Sequence, residues 1–309
     1  MKQRVRDVYP NTKVDPNTLR NTAVRANDFY QQHYEPEWAC RHERRVGQRG
    51  DGGKWVCDPH RLQAKPDCLV YSVGSEGDAS FERAVRDEIG DHCEIHTFDM
   101  GAYKMAVERS GSHFHQWGIA AQSTLQGQSF TGPGLQRGRG QFKSLRQTIQ
   151  ELNHTGRTID LFKIDCEYCE WEVFPAFFEA GVHLSQVLIE LHAFRKPMPM
   201  PQTIDFFQAM FQNGYVIFHK EVNIQHWVGE AIEYAFLKLR PEFFAGIGTP
   251  PQDNNKQQDK TAMDSTADAD RRLGGSHMDE VRDRIAILDQ QRLTRRFGKV
   301  SVQNRMRGN

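Results

Sequence analysis

The residues with chemical potential fall in three short runs. The first, Val73-Gly74-Ser75-Glu76-Gly77-Asp78, sets two glycines around a hydroxyl and a carboxylate. Glycine lets a backbone approach a ligand closely and leaves the amides of a following helix free to face it. The run has neither the full G-x-G-x-x-G of a dinucleotide loop nor the G-x-x-x-x-G-K-[ST] of a phosphate loop, so by itself it also fits a structural strand-to-helix junction. Asp99 follows Gly77 by 22 positions, where an acid beyond the next strand can accept hydrogen bonds from the two hydroxyls of a ribose. Glu76 would repel a pyrophosphate and attract a cationic amino-acid end, which points away from NAD and toward S-adenosyl-L-methionine.

The second run, KIDCEYCEWE, ends a predicted strand at Asp165. That carboxylate could steer a cationic cofactor, orient an acceptor nucleophile, or cap the helix that follows. Glu167 and Glu170 suit a solvated helix start, with Glu167 otherwise a base or substrate contact. Cys166 and Cys169 lack the second pair of a zinc knuckle, and the neighbouring acids oppose a reactive thiolate, so local packing is the favoured reading. Trp171, Phe174, Phe177 and Phe178 read as core rather than as an aromatic cage. In the third run, Glu190 and His192 face one side of a strand by its period of two, and His192 could take a proton near neutral pH or serve as a hydrogen-bonded strand end. His219, Glu221 and Asn223 form a further polar group. A divalent ion on Asp165, Glu190 or His192 would polarise an acceptor hydroxyl, but no ligand spacing predicts one, so no metal is assigned.

Positioning these groups requires an alternation of strands and helices. CLVYSVG reads as a strand, SFERAVRDEIG as a helix and EIHTFDM as a strand; FHQWGIA, FKSLRQTIQEL, IDLFKID, CEWEVFPAFFEAG, SQVLIELH, TIDFFQAMFQNG, YVIFHK and EYAFLKL continue the series. Such a series implies an α/β fold with a mostly parallel sheet covered on both faces and a ligand beyond the carboxyl ends of the strands. YVIFHK and EYAFLKL, with no full helix between them, suit an antiparallel final pair.

The chain has 309 residues, 38% of them hydrophobic, enough for a sizeable core. The 40 basic and 40 acidic residues cancel, so net charge makes no strong nucleic-acid case. No run nears the roughly 18 apolar residues of a transmembrane segment, and MKQRVRDVYPNTKV lacks the apolar core of a secretory signal. The location expected by default is cytoplasmic, with a secretory one open if the chain begins further upstream. There, Asn153-His154-Thr155 would be a glycan acceptor and Cys57 could pair with Cys68 across a short loop. Apolar residues concentrate in a domain over 55–245. An arm or cap over 1–54, with Trp38 and Trp55 to pack it, precedes the domain; a polar linker and basic tail with a possible short helix, 246–309, follow it.

CLVYSVGSEGDASFE, TFDM, IDLFKIDCEYCEWEVFPAFF, QVLIELH and GYVIFHKEVN followed by EYAFL together resemble methyltransferase-like proteins of the methyltransferase-domain family 22 type, and more broadly FkbM-type enzymes. The resemblance spans about residues 35–240. It implies a Rossmann-like class I methyltransferase with a mostly parallel seven-stranded sheet. Gly74, Ser75, Glu76 and Gly77 then hold the methionine part of S-adenosyl-L-methionine, Asp99 the ribose, and Met100 covers adenine. Lys163, Asp165, Glu167, Glu170 and Trp171 fit the family pattern, but Tyr168 stands where glycine is usual, so the turn differs or the pocket is narrower. The function implied is methyl transfer to an unknown acceptor, a small molecule, glycan or protein, with Asp165, His192 and Glu167 as catalytic candidates. A noncatalytic binding module on the same fold is the alternative, and an NAD-dependent oxidoreductase fits less well.

Overall fold

A computed structural model of the chain describes residues 26–121, 141–193, 198, 200–223 and 231–245. The linker, the basic tail and its short helix lie outside the described residues. A helix, α1 (Ala26–Gln32), leads into a hairpin of β1 (Glu43–Val46) and β2 (Lys54–Cys57), and α2 (Pro59–Gln63) follows. Next come β3 (Leu69–Val73), α3 (Ser80–Glu88), β4 (Glu94–Phe98), α4 (Lys104–Glu108), β5 (His113–His115), β6 (Gly118–Ile119) and β7 (Phe142–Lys143). The series continues through α5 (Leu145–Glu151), β8 (Thr158–Ile164), α6 (Glu170–Val173), β9 (His183–His192), α7 (Pro201–Gln212), β10 (Tyr215–Val222), β11 (Ala231–Lys238) and α8 (Pro241–Ala245).

Seven strands form the central sheet in the order β10-β11-β9-β8-β3-β4-β5. Counted within the sheet alone this is 6-7-5-4-1-2-3, with β11 antiparallel to both its neighbours and the strands from β9 to β5 parallel. This is the Rossmann-like class I methyltransferase arrangement, and the expected antiparallel final pair is present. The pleat explains why both faces are apolar. Leu69, Tyr71 and Val73 of β3 enter one core with α1, α5 and α7, while Cys68 and Val70 enter a second with α3 and the hairpin.

Three elements depart from the sequence reading, the first being FKSLRQTIQEL, whose Phe142 and Lys143 form a strand before a helix that starts at Leu145. FHQWGIA is two strands, because the chain leaves the main sheet after His115 and Gly118 pairs with Phe142 instead. A side chain at Gly118 would meet the Phe142 ring at 2.7 Å, which is why the residue is bare. The helix expected over CEWEVFPAFFEAG is α only through Val173, then a 3-10 turn over Phe174–Phe178, since Pro175 has no N–H to continue the α ladder.

The arm is fixed to the sheet: Glu37 and Trp38 donate their backbone N–H to the Ile217 carbonyl, and Gln186 bonds both the N–H and the C=O of Cys57. Lys54, where arm and domain were expected to meet, opens β2. The six cysteines form three disulfides, Cys40–Cys57, Cys68–Cys93 and Cys166–Cys169. The Cys57–Cys68 pairing is therefore corrected. Cys68 immediately precedes β3 and Cys93 immediately precedes its parallel neighbour β4, which brings their Cα atoms to 4.6 Å. Among the described residues no helix is long and apolar enough to cross a membrane.

Candidate active site

The glycine run leaves the carboxyl end of β3, and Asp99 and Asp165 leave those of β4 and β8. β3 and β8 are neighbours from which the chain departs in opposite directions across the sheet, so the crevice between their ends is the ligand position of such folds. Gly74 has φ of 79°, and a side chain there would lie 1.7 Å from the Asp165 carbonyl oxygen, so glycine is required for the two strand ends to meet. Lys163 closes the same junction by donating to the Gly74 carbonyl at 2.6 Å.

Asp99 organises the loop. Its Oδ2 accepts from Ser75 N–H at 2.8 Å, Ser75 Oγ at 3.1 Å and Glu76 N–H at 2.9 Å, while Oδ1 accepts from Gly101 N–H. A carboxylate oxygen has two lone-pair positions, so Oδ1 retains capacity for a ligand hydroxyl while Oδ2 is committed to the loop. Glu76 has φ of 46° and an exposed side chain at the rim. The Tyr103 ring lies against Gly77 and Gly101, and Met100 packs beside Gly118.

Around Asp165 is a buried group of charges. Lys54 Nζ, in a side chain 1% exposed, reaches Asp165 at 3.3 Å, Glu190 at 3.5 Å, and Glu233 in a short contact. Asn223 donates to Glu190 Oε1 at 2.9 Å. Burial opposes ionisation of Asp165, but Lys54, Lys163 and His192 outweigh it and hold the carboxyl well below its ordinary range. Burial, with the Asp165 anion beside it, pushes Glu190 up to about 8, and burial also raises Glu233. Two acids biased toward the neutral form beside one held ionised is a division suited to proton transfer.

His192 is held from behind. Glu170, fully buried rather than a solvated helix start, accepts from the His192 backbone N–H at 2.7 Å and meets its Nδ1 at 2.9 Å. Nε2 lies 3.7 Å from Glu167, 3.9 Å from Asp165 and 4.0 Å from Glu190. Burial would lower its pKa, but Glu170, Asp165 and Glu190 prevail and raise it to about 10. The imidazole thus carries its proton at neutral pH, and a base role there requires that proton to leave first. Trp171 donates to the His192 carbonyl and sits in the core with Phe177, and the half-buried Phe174 and Phe178 pack against it.

Tyr168 adopts a positive φ, a conformation that glycine favours. Its φ is 90°, that of Glu167 is 55°, and the Cys166–Cys169 disulfide brackets both. The ring is buried, with its hydroxyl 3.4 Å from Met200 Sδ. The ring packs into the core.

Residues 1–238 match a methyltransferase domain. The chain belongs to the methyltransferase-domain family. None of the curated proteins compared with it matches. Among solved structures it is similar to an O-methyltransferase from Bacillus cereus in complex with SAH, at 10% identity over 58% of this chain and 78% of that one, TM-score 0.36. It is also similar to M. capricolum TrmK in complex with S-adenosyl-homocysteine (10%, 59% and 68%, TM-score 0.33). A third is Aeropyrum pernix fibrillarin with natively bound S-adenosyl-L-methionine (10%, 65% and 84%, TM-score 0.32).

In this methyltransferase-domain chain the site thus unites the glycine loop with Asp99, and Asp165 with Glu167 and His192. The third polar run divides. Glu221 accepts from Trp55 Nε1 at 2.8 Å and pairs with Arg45, His219 stacks on Trp55 and bonds Glu43, and only Asn223 reaches the acids. Asp165, Glu167 and His192, and separately Asp51, Asp165 and Glu190, offer atoms close enough for one metal ion. The Lys54 ammonium already touches Asp165 and Glu190. Lys54 and Glu233 are among the site residues not singled out from sequence. Their signal is a charge in phase with buried neighbours: Lys54 shares a face with Val56, and Glu233 with Ala235.

Proposed function

We propose that the chain is an S-adenosyl-L-methionine-dependent methyltransferase whose cofactor lies across Gly74–Gly77 and Asp99 and whose acceptor approaches from the side of Asp165. The observation that carries this reading is the meeting of the glycine loop, Asp99 and Asp165 at the change in strand order of a family fold. The residues suit the cofactor chemically: Oδ1 of Asp99 can accept a ribose hydroxyl, Glu76 can receive the methionine ammonium, and the Tyr103 and Met100 side chains offer apolar surface. The Asp165 carboxylate attracts a sulfonium. When bound, the cofactor supplies an electrophilic methyl group, and the protein's contribution is alignment of the acceptor.

If the acceptor must lose a proton, Glu190 is the group poised closest to neutral pH, and the His192 cation orients the acid cluster. Glu167, with a 57% exposed side chain, suits a contact to the acceptor at the rim. The FkbM-type relationship and the choice among small-molecule, glycan and protein acceptors belong to this proposal. Titration of the protein with S-adenosyl-L-methionine and with NAD by calorimetry tests it: S-adenosyl-L-methionine should bind and NAD should not. Binding of neither would sink the reading.

The noncatalytic alternative draws on the commitment of Asp99 Oδ2 to its own loop, which leaves a ligand one oxygen. Cofactor binding with no methyl transfer to any acceptor class would favour it. We also place the chain in an oxidising compartment. Support comes from the three disulfides and from the exposed Asn153 and Thr155 of the glycan-acceptor triplet.

A further inference from the structure

A second cluster of ligand-type side chains lies toward the amino ends of the strands, away from the carboxyl-end crevice. Glu94 opens β4, His96 follows on the same face, and His154 comes from the turn between α5 and β8. Both imidazoles present Nε2 to one carboxylate oxygen, Glu94 Oε1, at 2.9 Å from His96 and 3.1 Å from His154. The three donor atoms all lie within 4.8 Å of one another. Zinc with bonds of 2.0–2.1 Å to nitrogen and oxygen sets tetrahedral ligand-to-ligand separations of roughly 3.3 Å, so the cluster is close to the required span.

The outer contacts are those a metal site uses. His96 Nδ1 meets His115 Nε2 at 2.8 Å, and His154 Nδ1 meets the Tyr71 hydroxyl at 2.7 Å. Glu94 Oε2 is held by Arg157 at 2.6 Å, leaving Oε1 to face the imidazoles. A ligating histidine is oriented by a partner on its other nitrogen, and imidazole and phenol can each donate or accept, so these contacts survive a change of tautomer. The histidines are nearly buried, at 8% and 5% side-chain exposure, while Glu94 at 36% opens the cluster to solvent.

We infer that Glu94, His96 and His154 form a zinc site that ties β4 to the turn before β8, with water in the fourth position. Zinc takes the place of the protons that bridge the two Nε2 atoms to Oε1; each neutral imidazole keeps one proton, moved to Nδ1. Because this site stands apart from the crevice, it is independent of the methyltransferase reading.

The test is calorimetric titration of the chelator-stripped full chain with zinc chloride. One zinc per chain is expected, weakened at least about tenfold in His154→Gln and in Glu94→Gln and unchanged in Asp165→Asn. Absence of binding, undiminished binding in both of the first two variants, or loss of zinc in Asp165→Asn would overturn the assignment. Long-range nitrogen-15 spectra of the unsubstituted chain give a readout that needs no variant. Zinc should move the ring proton from Nε2 to Nδ1 in His96 and His154, and in His115 as its Nε2 turns from donor to acceptor, and unchanged tautomers would count against the site.

Discussion

Lys54 holds the active-site acids together. Its ammonium is buried among Asp165, Glu190 and Glu233, so replacing it with methionine would preserve bulk and leave three acids without their shared cation. Breaking one partner of a buried charge group costs about 3–5 kcal/mol because the remaining charge is stranded. Lys54→Met should lower stability in urea denaturation by that order, and adding Glu233→Gln should recover part of it. No loss in the single variant would mean the acids are already neutral without Lys54. Asp99 differs, since its carboxylate both shapes the loop and leaves Oδ1, which accepts from Gly101 N–H, with capacity for a second donor. Asp99→Ala should reduce S-adenosyl-L-methionine affinity at least tenfold by calorimetry, removing a charge-assisted acceptor and the loop's anchor together. Unchanged affinity would remove Asp99 from the cofactor site.

At the scale of the element, the decisive feature is the turn that joins β8 to α6. Glu167 and Tyr168 both hold positive φ, a conformation costly for residues other than glycine, inside the ring closed by Cys166–Cys169. Tyr168→Gly should therefore relieve backbone strain while losing a buried ring. The ring loss dominates by the magnitudes of large-to-small core changes, about 3 kcal/mol or more against roughly 1–3 for the strain. Thermal melting should show a net fall, and a rise would mean that the ring contributes little packing. The strands and the order of the glycines and carboxylates were readable from sequence because a pleated, doubly covered sheet writes its pattern directly into runs such as Leu69–Val73. Cysteine partners were not readable: Cys68 and Cys93 are neighbours only because β3 and β4 are parallel, a fact of three-dimensional pairing. Nor was the charge state of His192, which depends on Glu170 approaching from the next element.

At the scale of the molecule, these buried charges make stability a function of pH. Glu190, ordinarily near 4.5, is raised to about 8 in the folded chain, and His192, ordinarily near 6.5, to about 10. Both raised values mean that the native state binds protons the unfolded chain has released. Their contribution is complete below the unfolded values and is lost as pH climbs through the folded ones, so stability should decline from about pH 4.5 to pH 10, Glu190 acting up to about 8 and His192 from about 6.5 upward. The two groups can be separated, because Glu190 finishes titrating before His192 does. His192→Gln retains a hydrogen-bonding side chain but cannot carry the charge; it should flatten the upper part of the decline, between pH 8 and 10, and leave the slope just above neutral to Glu190. Scanning calorimetry of both proteins across that range checks this. Parallel curves would mean that His192 is neutral in the native state, which would restore it beside Glu190 as a candidate base.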